Sequence, residues 1–134
     1  MSSLACTCGH IIRDITNNLP HRGSLFKGIL QDNFFDWLIH ETQSYVVAVQ
    51  QDQVRQWLLE KGYGEDYANL CLDHGNVLHD HIHNRYLEIK RDVFECQACG
   101  RIHIETTDNQ FASFTPEIKN DNRIFAKTFD GGGE

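Results

Sequence analysis

An α+β fold follows from three features of the sequence. Two cysteine pairs, Cys6 with Cys8 and Cys96 with Cys99, lie near opposite ends of the chain, and each is followed by glycine. The runs that flank the second pair, Val93 to Glu95 and Arg101 to Glu105, alternate apolar and polar residues as half-buried strands do. Between the pairs, Phe34, Trp37, Leu38, Tyr45, Val46 and Val49 recur at helical spacing. Together these predict one domain: a ribbon of antiparallel β hairpins over 1–30 and 85–116, split by a helical insert over 32–84, with a flexible tail over 130–134.

Each element has its own signal. His10 to Asp14 reads as a short strand after the first cysteine pair, and Asn17 to Gly23, which holds Leu19-Pro20, as loop. Ser24 to Leu30 reads as a second strand. Asp32 is a good N-cap for a helix from Asn33 to Gln50, although Tyr45 to Val49 also suits a strand. Asp52 to Lys61 is helical again, with Val54, Trp57 and Leu58 on one face and Gly62 as its stop. Glu65 to Leu72 and Asp73 to Asn84 are two further helical stretches. Tyr86 to Ile89 and Asp92 to Glu95 return to strand, and Asn109 to Pro116 adds a last strand or an ordered loop. The tail Asp130-Gly131-Gly132-Gly133-Glu134 is flexible by composition.

Size and composition bound the rest. A chain of 134 residues, 40% apolar and 23% charged, supports a core and is not disordered in bulk. The net charge of −7 repels nucleic acid and anionic membrane over most of the surface and suits a basic partner. No apolar run is long enough to span a bilayer, and Met1 to Cys6 lacks the features of a secretory signal. The expected compartment is the cytoplasm.

There, five cysteines without a signal peptide argue against a disulfide framework. Two close pairs, each ending in glycine, are what a tetrahedral zinc site needs. Thiolates in one tight turn reach a common ion while backbone N–H groups point at sulfur, and the glycine takes the left-handed turn that follows. The candidate ligands are Cys6, Cys8, Cys96 and Cys99, holding one structural Zn2+. A Cys-x-x-Cys redox motif would precede a helix, whereas Cys96 to Cys99 precedes a strand. Four thiolates leave an excess of negative charge. Arg101, with Arg13, Lys90 and Arg91, is a candidate to offset it, against the plainer reading of these residues as a solvated strand face.

Other residues carry less. His79 and His83 are four apart, so on a helix they share a face and suit a second metal, with His74, His81 and Asp80 nearby. The plainer reading is an exposed polar face. His10 and His103 flank the knuckles as substitute ligands. Cys71, between Leu70 and Leu72, reads as buried and inert, with a Cys71–His74 nucleophile as the weaker alternative. No nucleophile elbow, P-loop or dinucleotide fingerprint is present, so no enzyme is expected.

The order Cys6-x-Cys8-Gly9, Ile12-x-Asp14, Leu19-Pro20 and, much later, Cys96-x-x-Cys99-Gly100-Arg101 resembles the small bacterial zinc-ribbon proteins with a CxCG start, an LP element, a helical insert and a late CxxCGR knuckle. The resemblance rests on 1–30 and 85–116. It implies a zinc-bound, non-enzymatic protein. Some proteins of this kind lie beside secreted toxins and act as immunity proteins.

Two functional readings follow. The first is a protein-interaction module of immunity or antitoxin type, which occludes a toxin or effector domain with its acidic insert. Its candidate contacts are Asp36, Glu41, Asp52, Glu65, Asp66, Asp73 and Asp80, with Trp37, Trp57, Tyr63 or Tyr67 as aromatic anchors. The second is a zinc-ribbon nucleic-acid binder using Arg85, Lys90, Arg91 and Arg101 with Tyr86 and Phe94, against which the net charge counts.

Overall fold

The structure is a computed structural model that describes residues 3–14, 19–107, 109–119 and 121–130. It is α+β, with antiparallel hairpins in the cysteine-bearing regions and helices between them. The chain divides into two compact units, Met1–Leu25 with Lys90–Glu134, and Phe26–Ile89. No described helix is long and apolar enough to cross a membrane.

The first unit is the ribbon. Strands β1 (Ser3–Ala5) and β2 (Ile11–Arg13) form one antiparallel hairpin, with Leu4 opposite Ile12. Strands β3 (Arg22–Leu25), β4 (Arg91–Glu95), β5 (Ile102–Glu105) and β6 (Phe111–Phe114) form a four-stranded antiparallel sheet in that order. Phe94 pairs with Arg22 on one side and His103 on the other, and His103 pairs with Ser113. Paired residues share a face, so Phe94, His103 and Ser113 line up on one side of the sheet. The core is Cys6, Ile12, Phe94 and Cys96, with Leu4, Cys99 and Phe111 packed against it. Cys6 and Cys96 are therefore part of the apolar core, and Cys99 packs against it. A short helix, α5 (Ile124–Phe129), follows the sheet and buries none of its residues.

The second unit is helical. Helix α1 (Gly28–Gln50) is followed by α2 (Val54–Glu60), α3 (Gly64–Asn69) and α4 (His74–Ile89). Their apolar faces meet at Tyr45, Ala48, Trp57, Leu58, Ala68 and Val77. Trp57 Nε1 donates to Ser44 Oγ at 2.9 Å, which satisfies the indole of a buried ring. Asp73 starts α4 by accepting the Asn76 N–H at 2.8 Å.

Several sequence expectations are corrected. Ser24 to Leu30 is not one strand: β3 stops at Leu25 and α1 begins at Gly28, so Asp32 lies inside the helix and Lys27 takes the N-cap position. Phe26 turns its ring onto Tyr86, 5.5 Å between centroids, and this contact draws the chain into the helical unit. Tyr45 to Val49 is helix, because Tyr45 and Ala48 both face its core. Tyr86 to Ile89 is not strand. Helix α4 runs on to Ile89, and so the span 85–116 read as ribbon opens on helix. Tyr86 stacks on His83 at 6.1 Å and meets Phe34 at 6.4 Å, contacts that a helical register supplies. Strand β1 and helix α5 carry no signal that the sequence alone revealed. The loop residues Asn17 and Asn18 and the tail residues 131–134 lie outside the described residues.

Candidate metal centre

The first cysteine pair sits on the turn between β1 and β2. Gly9 donates its N–H to Cys6 O at 3.0 Å, and Cys6 donates to His10 O at 2.9 Å. The second pair sits on the turn between β4 and β5, where Gly100 donates to Cys96 O and Cys96 to Arg101 O, at 2.9 and 2.8 Å. Gly9 and Gly100 have φ of 100° and 82°, in the left-handed region. At Gly100 a Cβ would also collide with the carbonyl of Asp121, so both its backbone and its surroundings require glycine.

The two turns bring all four sulfurs together. Cys6 Sγ is 3.7 Å from Cys99 Sγ, and Cys8 Sγ is 3.6 Å from Cys96 Sγ. All four lie within 4.8 Å of one another. A tetrahedral ion with bonds of about 2.3 Å to sulfur separates its ligands by about 3.8 Å, so the donor set and its spacing fit a single metal ion. Cys6 and Cys96 are buried, Cys99 is half-buried and Cys8 is exposed.

The surroundings act in opposite directions on the thiols of Cys96 and Cys99. The backbone N–H groups of Ala98 and Cys99 point at Cys96 sulfur, and that of Arg101 at Cys99 sulfur. Burial pushes the Cys96 thiol up to about 12 in spite of those two donors. At Cys99 burial also acts upward, but the Arg101 N–H, its guanidinium at 3.2 Å and the neighbouring thiols bring the thiol down to about 6. Arg101 is thus the charge-offsetting residue. Of the other candidates, Lys90 is bonded to Asp92 at 2.7 Å, Arg91 donates to Lys90 O at 2.7 Å, and Arg13 is exposed on β2.

The segment before α5 closes over the second knuckle. Asn122 Nδ2 donates to Gln97 O at 2.8 Å. The buried Glu95 carboxylate accepts the Ile124 N–H at 2.8 Å and the Phe125 N–H at 3.4 Å, which anchors the start of α5. Nothing local to Glu95 marks it for this role, because its partners lie some thirty residues later in loop-like sequence.

His10 and His103 do not join the sulfur cluster. His103 is buried, its Nδ1 is 2.7 Å from Ser113 Oγ, and burial, helped by the Arg101 charge, lowers its pKa and keeps it neutral. Among the described residues the four cysteines are the only gathered metal-ligand group, so the histidines of α4 form no second one. His79 and His83 do stack, 5.3 Å apart. His74 Nδ1 lies 2.6 Å from Tyr45 Oη, and His81 Nδ1 lies 2.6 Å from Tyr63 Oη. Cys71 is exposed, not buried: it takes φ of 49° past the end of α3, and Leu70 and Leu72 are exposed with it.

The acidic and aromatic candidates of the insert separate into two classes. Asp36, Asp52, Glu65 and Asp66 are exposed. Glu41 is buried and takes Lys61 Nζ at 2.9 Å and His81 Nε2 at 3.0 Å. Asp73 caps α4, and Asp80 accepts the Tyr67 hydroxyl at 2.7 Å. Trp57 belongs to the core. Trp37, Tyr63 and Tyr67 are half-buried, with the Arg85 guanidinium 5.7 Å over Trp37 and the two tyrosines stacked at 4.7 Å.

A family described as a domain of unknown function, DUF8617, matches residues 2–122. No curated protein and no solved structure gives a significant match.

Proposed function

The chain belongs to the DUF8617 family, and we propose that it is a non-enzymatic protein-interaction module. In this reading its four cysteines hold one structural Zn2+, and its partner is a toxin or effector domain that it binds and blocks, as an immunity or antitoxin protein does. The observation that carries the reading is the convergence of four thiols from two knuckles, 3.6 to 3.7 Å apart in pairs. Zinc is the ion that four thiolates in tetrahedral array select without redox chemistry. An ion with four protein ligands has no position for water or substrate, so it serves the fold and not a reaction.

The interaction half draws on charge. Between Phe26 and Ile89 stand ten acidic and four basic side chains, a net of −6 out of −7 for the whole chain. A surface of that kind speeds encounter with a basic partner and repels an acidic one. The nucleic-acid alternative has no comparable support. Lys90 and Arg101 are bonded to Asp92 and Cys99, and Arg85 to Glu88 at 3.2 Å.

Native mass spectrometry of the untagged protein from its own cells tests both halves. The expected spectrum has one zinc per chain and one stoichiometric protein partner. A chain without metal overturns the zinc site, and a zinc-loaded chain with no protein overturns the interaction reading. Retention on heparin in low salt would restore the nucleic-acid reading.

A further inference from the structure

Helix α1 buries one side in the helical unit and leaves the other with an apolar seam. Phe35, Ile39, Val46 and Val49 are 50%, 68%, 47% and 37% exposed. With Thr42 between them they follow each other at spacings of four, three, four and three, so they fall on one face. From Phe35 to Val49 this seam runs about 21 Å, four turns of helix. Single exposed apolar residues are ordinary on any surface, but four in register are what a second helix packs against.

The charge beside the seam says what kind of helix. Asp32 and Asp36 are exposed along one edge of it, and α1 contains no lysine or arginine at all. The unit around it has the net charge of −6 already described. A second copy of the chain would bring the same acidic surface against itself. A helix with apolar residues at the same spacing and lysines or arginines along its flank would bury the seam and neutralise its edge together.

We propose that the outer face of α1 is the docking surface for a basic amphipathic helix of a protein partner. This rests on the interaction reading above and names its surface and the chemistry of what it takes.

The test uses the full chain and a labelled peptide of leucine and lysine, about 18 residues long, with leucines at i, i+3, i+4 and i+7. Fluorescence anisotropy should show saturable one-to-one binding. Ile39→Asp should weaken it about tenfold or more, and Asp32→Lys with Asp36→Lys should weaken it and flatten its salt dependence. Glu117→Lys with Asp130→Lys, both exposed in the ribbon unit, changes the net charge equally and should leave binding unchanged. A peptide with glutamates for lysines should not bind. Equal binding by all variants, or equal loss in the Glu117 and Asp130 variant, marks diffuse attraction and overturns the surface. Sedimentation of the chain as a dimer that Ile39→Asp dissociates assigns the face to a second copy and also overturns it. The positions are exposed, and far-ultraviolet circular dichroism confirms that each variant keeps its helices. Purification from the protein's own cells separates the two levels. A partner kept equally by wild type and Ile39→Asp leaves the interaction reading standing without this surface, whereas no partner on wild type removes the reading itself.

Discussion

The guanidinium of Arg101 sits 3.2 Å from the sulfur of Cys99, two residues before it in the chain. It brings a fixed positive charge to a cluster of four thiols whose metal-bound form carries excess negative charge. Removing it should raise the cost of holding the thiolates together. Arg101→Ala is expected to weaken zinc binding about tenfold or more, and Arg101→Lys less, since lysine keeps the charge without the planar fork. Competition against a chromophoric chelator measures this. Equal affinity in all three proteins would reduce Arg101 to a bystander.

Gly100 tests whether the second knuckle and the segment after the sheet form one structure. Its φ is 82°, and a Cβ there would strike the Asp121 carbonyl. Gly100→Ala must therefore strain the turn and push away the chain that carries Asn122, losing its bond to Gln97 O. The expected cost is about 2–4 kcal/mol, the sum of a left-handed alanine and a displaced packed segment. Urea unfolding of the metal-loaded protein reads it directly. A variant with the wild-type midpoint would show that residues 121–122 are not held where the structure has them.

Glu95 makes a separate test of α5, which buries no residue of its own. Its two described anchors at the helix start are the N–H groups of Ile124 and Phe125, both accepted by the Glu95 carboxylate. Glu95→Ala should release the helix, so the amides of 124–129 should exchange with solvent at least tenfold faster. The amides of β4 and β5 should be much less affected. If α5 keeps its protection, something other than Glu95 holds it.

Removing the metal should divide the molecule. The sulfurs of Cys6 and Cys96 belong to the core of the ribbon, so chelation takes away both a crosslink and part of that core. Hairpin β1–β2, two strands of three residues, should lose its exchange protection. Trp37 and Trp57 both lie in the helical unit, whose core contains no metal ligand. Tryptophan fluorescence should therefore stay unchanged while the hairpin amides open. A fluorescence change on chelation would show that the helical unit depends on the site.

The cysteine cluster was legible because its grammar is local. Pair spacing, a glycine after each pair and a strand on either side are all read within a few residues. The helices over 33–61 were legible from periodicity and from Gly62, which takes φ of 90° at the end of α2. Where the sequence misled, the deciding contacts were distant. Tyr86 to Ile89 has strand-like composition, yet the rings of Phe26, Phe34 and His83 hold Tyr86 in helix. Glu41 looked like a surface carboxylate, because the residues that bury it are Lys61 and His81, twenty and forty positions away. Cys71 looked buried because its neighbours are leucines, but a left-handed turn leaves all three outside.

That Glu41 centre makes the last prediction, since it ties the stability of the helical unit to pH. Burial alone would raise the Glu41 pKa, but hydrogen bonds and charge from Lys61 and His81 outweigh it and hold the carboxyl below its ordinary value of 4.5. A folded-state pKa below the unfolded one means that the ionised carboxylate favours the fold. That contribution is full above the unfolded value, near 4.5, and is lost as pH falls through the lower folded value. Glu41→Gln leaves Lys61 and His81 facing a neutral amide, which should cost about 1–3 kcal/mol near pH 7. As pH falls below 4.5 and through the lower native value, the gap between wild type and variant should shrink towards zero. Urea melts followed by tryptophan fluorescence across a pH series from neutral to well below 4.5 measure the gap, because Trp57 packs in the same core and Lys61 lies 5.5 Å over its ring. A gap that does not change with pH would place the role of Glu41 in its shape and not in its charge.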